Sequence, residues 1–106
     1  FSNRIFVFTP TGDIVDLPED SSPIDFAYLI HSDIGNHISG IKINGKMMPF
    51  SEKLKNGDIV EIITKKNANP SSKWLEYVKT SHAKKHIRSY LEKNSLLAKL
   101  KSFGRS

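Results

Sequence analysis

The dipeptide Asn44-Gly45, set between Ile38–Ile43 and Lys46-Met47-Met48, is a strong short-range signal for a β-hairpin. It commits the middle of the chain to antiparallel strands, and the segments on either side can then be read around it. Upstream, Ile5-Phe6-Val7-Phe8 is β-branched and aromatic, Pro10-Thr11-Gly12-Asp13 supplies a turn, and Ile14-Val15-Asp16-Leu17 returns until Pro18 stops it. Ser22-Pro23-Ile24-Asp25 then predicts a helix start. Ser22 can cap, Pro23 suits the first helical position, and Asp25 completes a capping box near the positive helix end. The spacing of Phe26, Ala27 and Ile30 predicts one buried face on a helix that ends near Gly35. After the hairpin, Ser51–Leu54 reads as a single turn. Asn56-Gly57-Asp58 turns tightly into a last strand, Ile59–Thr64, apolar enough on both faces to be central in a sheet.

Strand, turn, strand, capped helix and further short strands form the element order of a β-grasp fold. The expected class is therefore α+β, a mixed sheet packed on one helix, occupying residues 4–65. Residues 66–106 read as a separate basic extension. There, Asn69-Pro70 opens a helix with Trp74, Tyr77 and Val78 on one face. Thr80 or Ser81 caps a second helix whose stripe is Ala83, Ile87, Tyr90 and Leu91. Residues after about Leu97 are expected to fray. This two-helix extension either docks on the first unit or begins a further helical domain.

Charge divides the chain at the same place. Residues 1–64 carry 5 Lys/Arg against 9 Asp/Glu, whereas residues 65–106 carry 11 against 2. A basic excess confined to one end points that end at a polyanion. The chain has no cysteine, which rules out a disulfide framework or thiolate chemistry and fits a reducing cytoplasm. It has no apolar run of spanning length, no signal peptide and no initiator methionine, so a fragment of a longer cytoplasmic protein is expected.

Catalytic patterns are not legible. The carboxylates sit at caps and strand ends, and glycine-rich phosphate loops are missing. His82 and His86 are four apart on a helix but lack a third ligand type, so they read as solvated helix surface and no metal or cofactor is expected. His31 stands out because it falls at the end of the first helix. There it is either a capping group favoured by the helix dipole or a ring free to stack on a base and hydrogen-bond a ribose hydroxyl.

Several of these segments carry a family resemblance: Phe8-Thr9-Pro10-x-Gly12-Asp13, Ser22-Pro23-x-Asp25-Phe26-Ala27-Tyr28, Ile30-His31-Ser32-Asp33-Ile34-Gly35 and Gly57-Asp58-x-Val60-Glu61-Ile62-Ile63-Thr64. Together they resemble the TGS domain of long RelA/SpoT proteins, the bacterial enzymes that make and hydrolyse (p)ppGpp in the stringent response. Asn69-Pro70-Ser71-Ser72-Lys73-Trp74-Leu75 resembles the start of the helical region that follows it. The resemblance implies a regulatory piece without catalytic residues of its own, whose parent carries the synthetase and hydrolase domains. It implies recognition of the 3′ CCA end of uncharged tRNA on the ribosome through His31, with Asn36 and His37 beside it. Many members read Gly-His-Arg where this chain reads Gly35-Asn36-His37, so the histidine is displaced by one and the arginine is lost. Lys66, Lys73, Lys84, Lys85 and Arg88 are the expected basic contacts, the last three on one solvent-facing side of their helix.

Two functions remain open at this stage. One is an RNA-sensing module. The other is a protein-interaction module that binds acyl carrier protein or the parent's own catalytic domains. A ubiquitin-like sulfur carrier is excluded, because Thr64-Lys65-Lys66 follows the last strand where such carriers end in Gly-Gly.

Overall fold

A computed structural model describes residues 3–103. Strands β1 (Arg4–Phe8) and β2 (Ile14–Pro18) form an antiparallel hairpin, with Ile5 opposite Leu17 and Val7 opposite Val15. The intervening Gly12 takes φ 94°, as the tight turn demands. Helix α1 covers Pro23–Ile30 and a short α2 covers Ser32–Asn36. Strand β3 (Ile38–Ile43) then pairs antiparallel with β4 (Lys46–Met47) on one side and β5 (Val60–Thr64) on the other. The two ladders meet where β1 runs parallel to the entry of β5. Phe8 bridges Ile59, the Phe8 N–H donates to the Asp58 carbonyl, and the Gly57 N–H donates to the Phe6 carbonyl, each at 2.8 Å. The result is the expected mixed β-grasp arrangement, with β1 and β5 at its centre and α1 across one face.

The local chemistry explains the register. Asn44 (φ 54°) and Gly45 (φ 82°) make the hairpin turn from two left-handed residues. Asn44 also staples the turn to the next strand. Its Oδ1 accepts from the Ile59 N–H at 2.9 Å and its Nδ2 donates to Asp58 at 3.0 Å. A register shift between Ile38 and Gly40 lets Ile38, Ile41 and Ile43 all reach the core, although strict alternation would send Ile38 and Ile41 to opposite faces.

Helix α1 is buried more completely than a one-faced helix would be. Residues Pro23 to Tyr28 are all buried, while Leu29 and Ile30 are 48% and 42% exposed. Ile30 therefore does not join the predicted apolar face. The reason is the extension, which packs on α1 in addition to the sheet. Its Trp74, Val78, Ala83 and Ile87 join the same hydrophobic core as Ile24, Phe26 and Val7. Full burial of the Val, Ile and Phe side chains among these stabilises by about 1.5–3 kcal/mol each.

The extension differs from the expected pair of helices. Ser71 caps a short 3-10 turn, Ser72–Glu76, in which Trp74 meets Phe50 edge-on. Only α3 (Ser81–Phe103) is a full helix. Its first turn is tied by Thr80, whose Oγ1 accepts from the Ala83 N–H at 3.1 Å. At 23 residues it is about 35 Å long and continues past Leu97, with Leu96, Leu97 and Leu100 exposed. Positions 104–106, the end of the segment expected to fray, lie outside the described residues.

Candidate nucleic-acid interface

His31 divides what the sequence presents as one helix. Its backbone is extended (φ −168°, ψ 143°), so α1 ends there and α2 begins on its far side. The break satisfies both helices. The His31 N–H donates back to the Ala27 carbonyl at 3.1 Å, and the His31 carbonyl accepts from the N–H groups of Ile34 and Gly35. The ring does more than expected. Nδ1 accepts from the Asp33 N–H at 3.0 Å, so the imidazole is the N-cap of α2 rather than a cation on the C-terminus of α1. A ring whose Nδ1 accepts carries its proton on Nε2. The side chain is 63% exposed, so the donor is presented to solvent in a fixed pose. The Asp33 carboxylate stands 3.8 Å from Nδ1 and pairs with it only if that nitrogen is protonated.

The structure gives Asn36 and His37 partly structural work. The Asn36 Oδ1 accepts from the buried Tyr28 hydroxyl at 2.8 Å, which leaves its NH2 available. The half-buried His37 has its Nδ1 2.9 Å from the Ala68 carbonyl. A carbonyl only accepts, so Nδ1 carries the proton there and Nε2 is an acceptor. The two histidines thus offer opposite hydrogen-bonding characters on one short helical turn. His37 lines a shallow cleft of about 250 Å³ with Asp33, Ile34, Thr64, Lys65 and Lys66. This cleft joins the end of α2, the end of β5 and one of the expected basic residues. His31 lies beside the cleft rather than in it.

The other basic candidates lie apart. Lys73 is exposed on the 3-10 turn; Lys85 and Arg88 are exposed on α3, whereas Lys84 is half-buried, so the three expected on one open face are reduced to two. Among the described residues the ion pair is Arg4–Asp16, with the His31–Asp33 contact forming one only on protonation, and neither uses these cations. Their charge is available to an outside anion.

Of the His82 and His86 pair, His82 is exposed, as the spacing suggested, whereas His86 is half-buried, and both touch Tyr28. The His82 Nε2 lies 3.3 Å from the Tyr28 carbonyl, and the His86 ring runs nearly parallel to Tyr28, 16° apart with centroids at 5.8 Å. Burial, then neighbouring His82 and Lys85, lowers the His86 pKa, and burial pushes the Tyr28 phenol above its usual range. No group of three or more potential metal ligands forms among the described residues. The seam between α1 and the extension was not legible in the sequence. Its anchor is Asp25, read correctly as a capping-box residue. The same carboxylate also accepts from the N–H groups of Lys79 and Thr80 at 2.9 Å and from the Thr80 hydroxyl at 2.8 Å.

Residues 5–64 match the family described as "TGS domain". The chain is 52% identical over 93 residues to a guanosine-3′,5′-bis(diphosphate) 3′-pyrophosphohydrolase of Aquifex aeolicus. It is 50% identical over 92 and 97 residues to GTP pyrophosphokinases of Myxococcus xanthus and Escherichia coli K12. These alignments take in 87–88% of the chain but only 12–13% of each relative. The match extends beyond the β-grasp unit into the extension.

Proposed function

The chain belongs to the TGS-domain family, in the branch found in RelA/SpoT proteins, and from that footing we propose that it is a regulatory recognition module that reads the 3′ CCA end of uncharged tRNA on the ribosome. The activity it controls, synthesis or hydrolysis of (p)ppGpp, belongs to a longer cytoplasmic parent, and this piece contributes no catalytic group to it. The supporting observation is the His31 ring, exposed and held through Nδ1 by the Asp33 N–H, which leaves the Nε2 proton for an outside acceptor.

An imidazole so held can stack on the terminal adenine and donate to a ribose hydroxyl. Aminoacylation converts that hydroxyl into an ester, whose oxygen is a weaker acceptor for the Nε2 proton and which adds bulk where the ring must sit. The contact therefore reports charging state directly. The Asn36 amide and the His37 Nε2 supply a donor and an acceptor for neighbouring base or sugar edges. Lys66, beside them, suits a phosphate. Lys73, Lys84, Lys85 and Arg88 extend the contact along the backbone by electrostatics alone, which compensates for the acidic balance of the β-grasp unit.

The test is fluorescence anisotropy with an acceptor-stem RNA ending in CCA and the same stem lacking it. The wild-type chain should prefer the CCA stem, and His31→Ala should erase the preference. Acyl carrier protein added as competitor separates the two classes of partner. If it displaces the RNA-independent contacts and the CCA end makes no difference, the protein-interaction reading replaces this one. In the full-length parent, His31→Ala should leave basal synthesis intact and remove most activation by ribosomes carrying uncharged tRNA.

A further inference from the structure

Tyr28 is buried to 1% exposure, yet it touches both α2 and the extension. Its hydroxyl donates to the Asn36 Oδ1 at 2.8 Å. Gly35 lies on the face of its ring, because a Cβ added there would overlap ring carbons Cγ, Cδ1 and Cε1 together. From the extension, the His86 ring stacks along it with centroids at 5.8 Å. His82 packs edge-on against His86 at 4.6 Å and reaches the Tyr28 carbonyl through Nε2 at 3.3 Å. That carbonyl lies in the last turn of α1, where no further helical N–H arrives to satisfy it. Thus one side chain receives α3 through its ring and main chain, and delivers α2 through its ring and hydroxyl.

We propose that Tyr28 and His86 are positioning residues for the turn Gly35–His37, so that the seating of α3 sets the pose of the residues beside His31. Neither residue touches the ligand; each acts through the next. Ala83 and Ile87, both at 0% exposure, fix α3 on either side of His86 in sequence and leave its ring little freedom to compensate. A shift of α3 must therefore move the Tyr28 ring. Its hydroxyl carries Asn36, and its face carries Gly35. The capacity of the turn to present Asn36 and His37 then depends on a helix far from it in sequence. The importance of this turn for RNA rests on the recognition reading above, but the positioning itself does not.

The experiment uses the full 106-residue chain, with amide shifts from 15N NMR and affinity for the CCA-ended stem as separate readouts. His86→Ala should move the amides of Gly35, Asn36 and His37 while leaving Gly45 in the distant hairpin unchanged. It should also weaken CCA-dependent binding by about 2- to 30-fold, the range of such indirect couplings. His86→Phe, which restores a stacking ring that cannot be protonated, should return both readouts toward wild type. Tyr28→Phe keeps the packing and frees Asn36, so Asn36 alone should shift strongly. Wild-type amide positions at Gly35–His37 in both His86→Ala and Tyr28→Phe would overturn the proposal. Moved amides in a chain that never distinguishes the CCA end would uphold it and sink the recognition reading instead.

Discussion

The two ends of α1 are built in opposite ways. At the N-terminal end, Ser22 and Asp25 are 1% exposed, and one carboxylate collects five donors: the Ser22 N–H and hydroxyl, the Lys79 and Thr80 N–H groups and the Thr80 hydroxyl. At the C-terminal end, Leu29 and Ile30 are exposed, the helix stops at His31, and the ring nitrogen not used for capping faces water. A carboxylate buried with that many donors is ordered and inert, while a half-satisfied imidazole at an exposed break can accept a ligand. The difference teaches that immobility at one end permits exposure at the other. With the N-terminus latched to the extension and the middle clasped between sheet and α3, the last turn can be left open without loosening the helix.

The sharpest way to break this comparison is to unlatch the closed end. Asp25→Ala leaves several buried N–H groups without an acceptor and removes the capping box, which should cost on the order of 3 kcal/mol or more in chemical denaturation. It should also release the extension, visible as faster amide exchange at Lys79 and Thr80. A loss below about 1 kcal/mol would show that water replaces the carboxylate and that the end is less closed than drawn.

Gly35→Ala probes the open end from beneath. The added methyl group is driven into the Tyr28 ring, which is held by Asn36 and His86 and has little room to yield. Overpacking of this kind costs about 1–3 kcal/mol. A neutral outcome would mean that α2 drifts freely over Tyr28.

These two residues also show what the sequence could and could not reveal. The capping box, the Asn44-Gly45 turn and the strands depend on residues only a few positions apart, so their chemistry is written locally and is legible. At the boundaries, β2 takes in Pro18, expected to stop it, and β5 starts at Val60 rather than Ile59. Gly35 was read as a helix stop, but its requirement comes from a ring seven positions earlier that folds back under it. The partners of Asp25 in the extension are mainly backbone N–H groups, which every residue except proline has, so nothing at Lys79 or Thr80 announced them. His86 looked solvated because its covering surface is α1, which it meets only in three dimensions. Of the proposed site, His31 was singled out correctly as an exposed helix-end residue. Its capping of the following helix was hidden, because Ser32-Asp33 reads as a continuation of α1.

Acid should loosen the clasp between α1 and α3. The His86 pKa is lowered in the folded chain, chiefly by burial against its neighbours. The unfolded chain therefore takes up a proton first, and the stability contributed by the neutral ring is present above about pH 6.5 and lost as pH falls below it. Three groups face this ring or lie close to it: Tyr28 from α1, and His82 and Lys85 from α3 itself. The melting temperature should fall more steeply between about pH 7 and 5 in the wild type than in His86→Phe, which has no proton to gain. Parallel pH profiles would assign the acid sensitivity elsewhere.

The smallest effect on stability is the most informative about function. His31 caps α2 through Nδ1 and presents Nε2 outward, two roles that alanine removes together. Asparagine separates them, because its side-chain oxygen is among the best N-cap acceptors and can take the Asp33 N–H, while its amide has no aromatic face. His31→Ala should cost about 1 kcal/mol of stability, and His31→Asn should recover most of that loss. Both variants should nevertheless lose the preference for an RNA stem ending in CCA, since neither can stack on the terminal base. If His31→Asn binds the CCA stem as well as the wild type, the ring is only a cap and the open end of α1 has no recognition role. If it matches the wild type in denaturation and fails in binding, the closed and open ends of this helix divide stability and function between them.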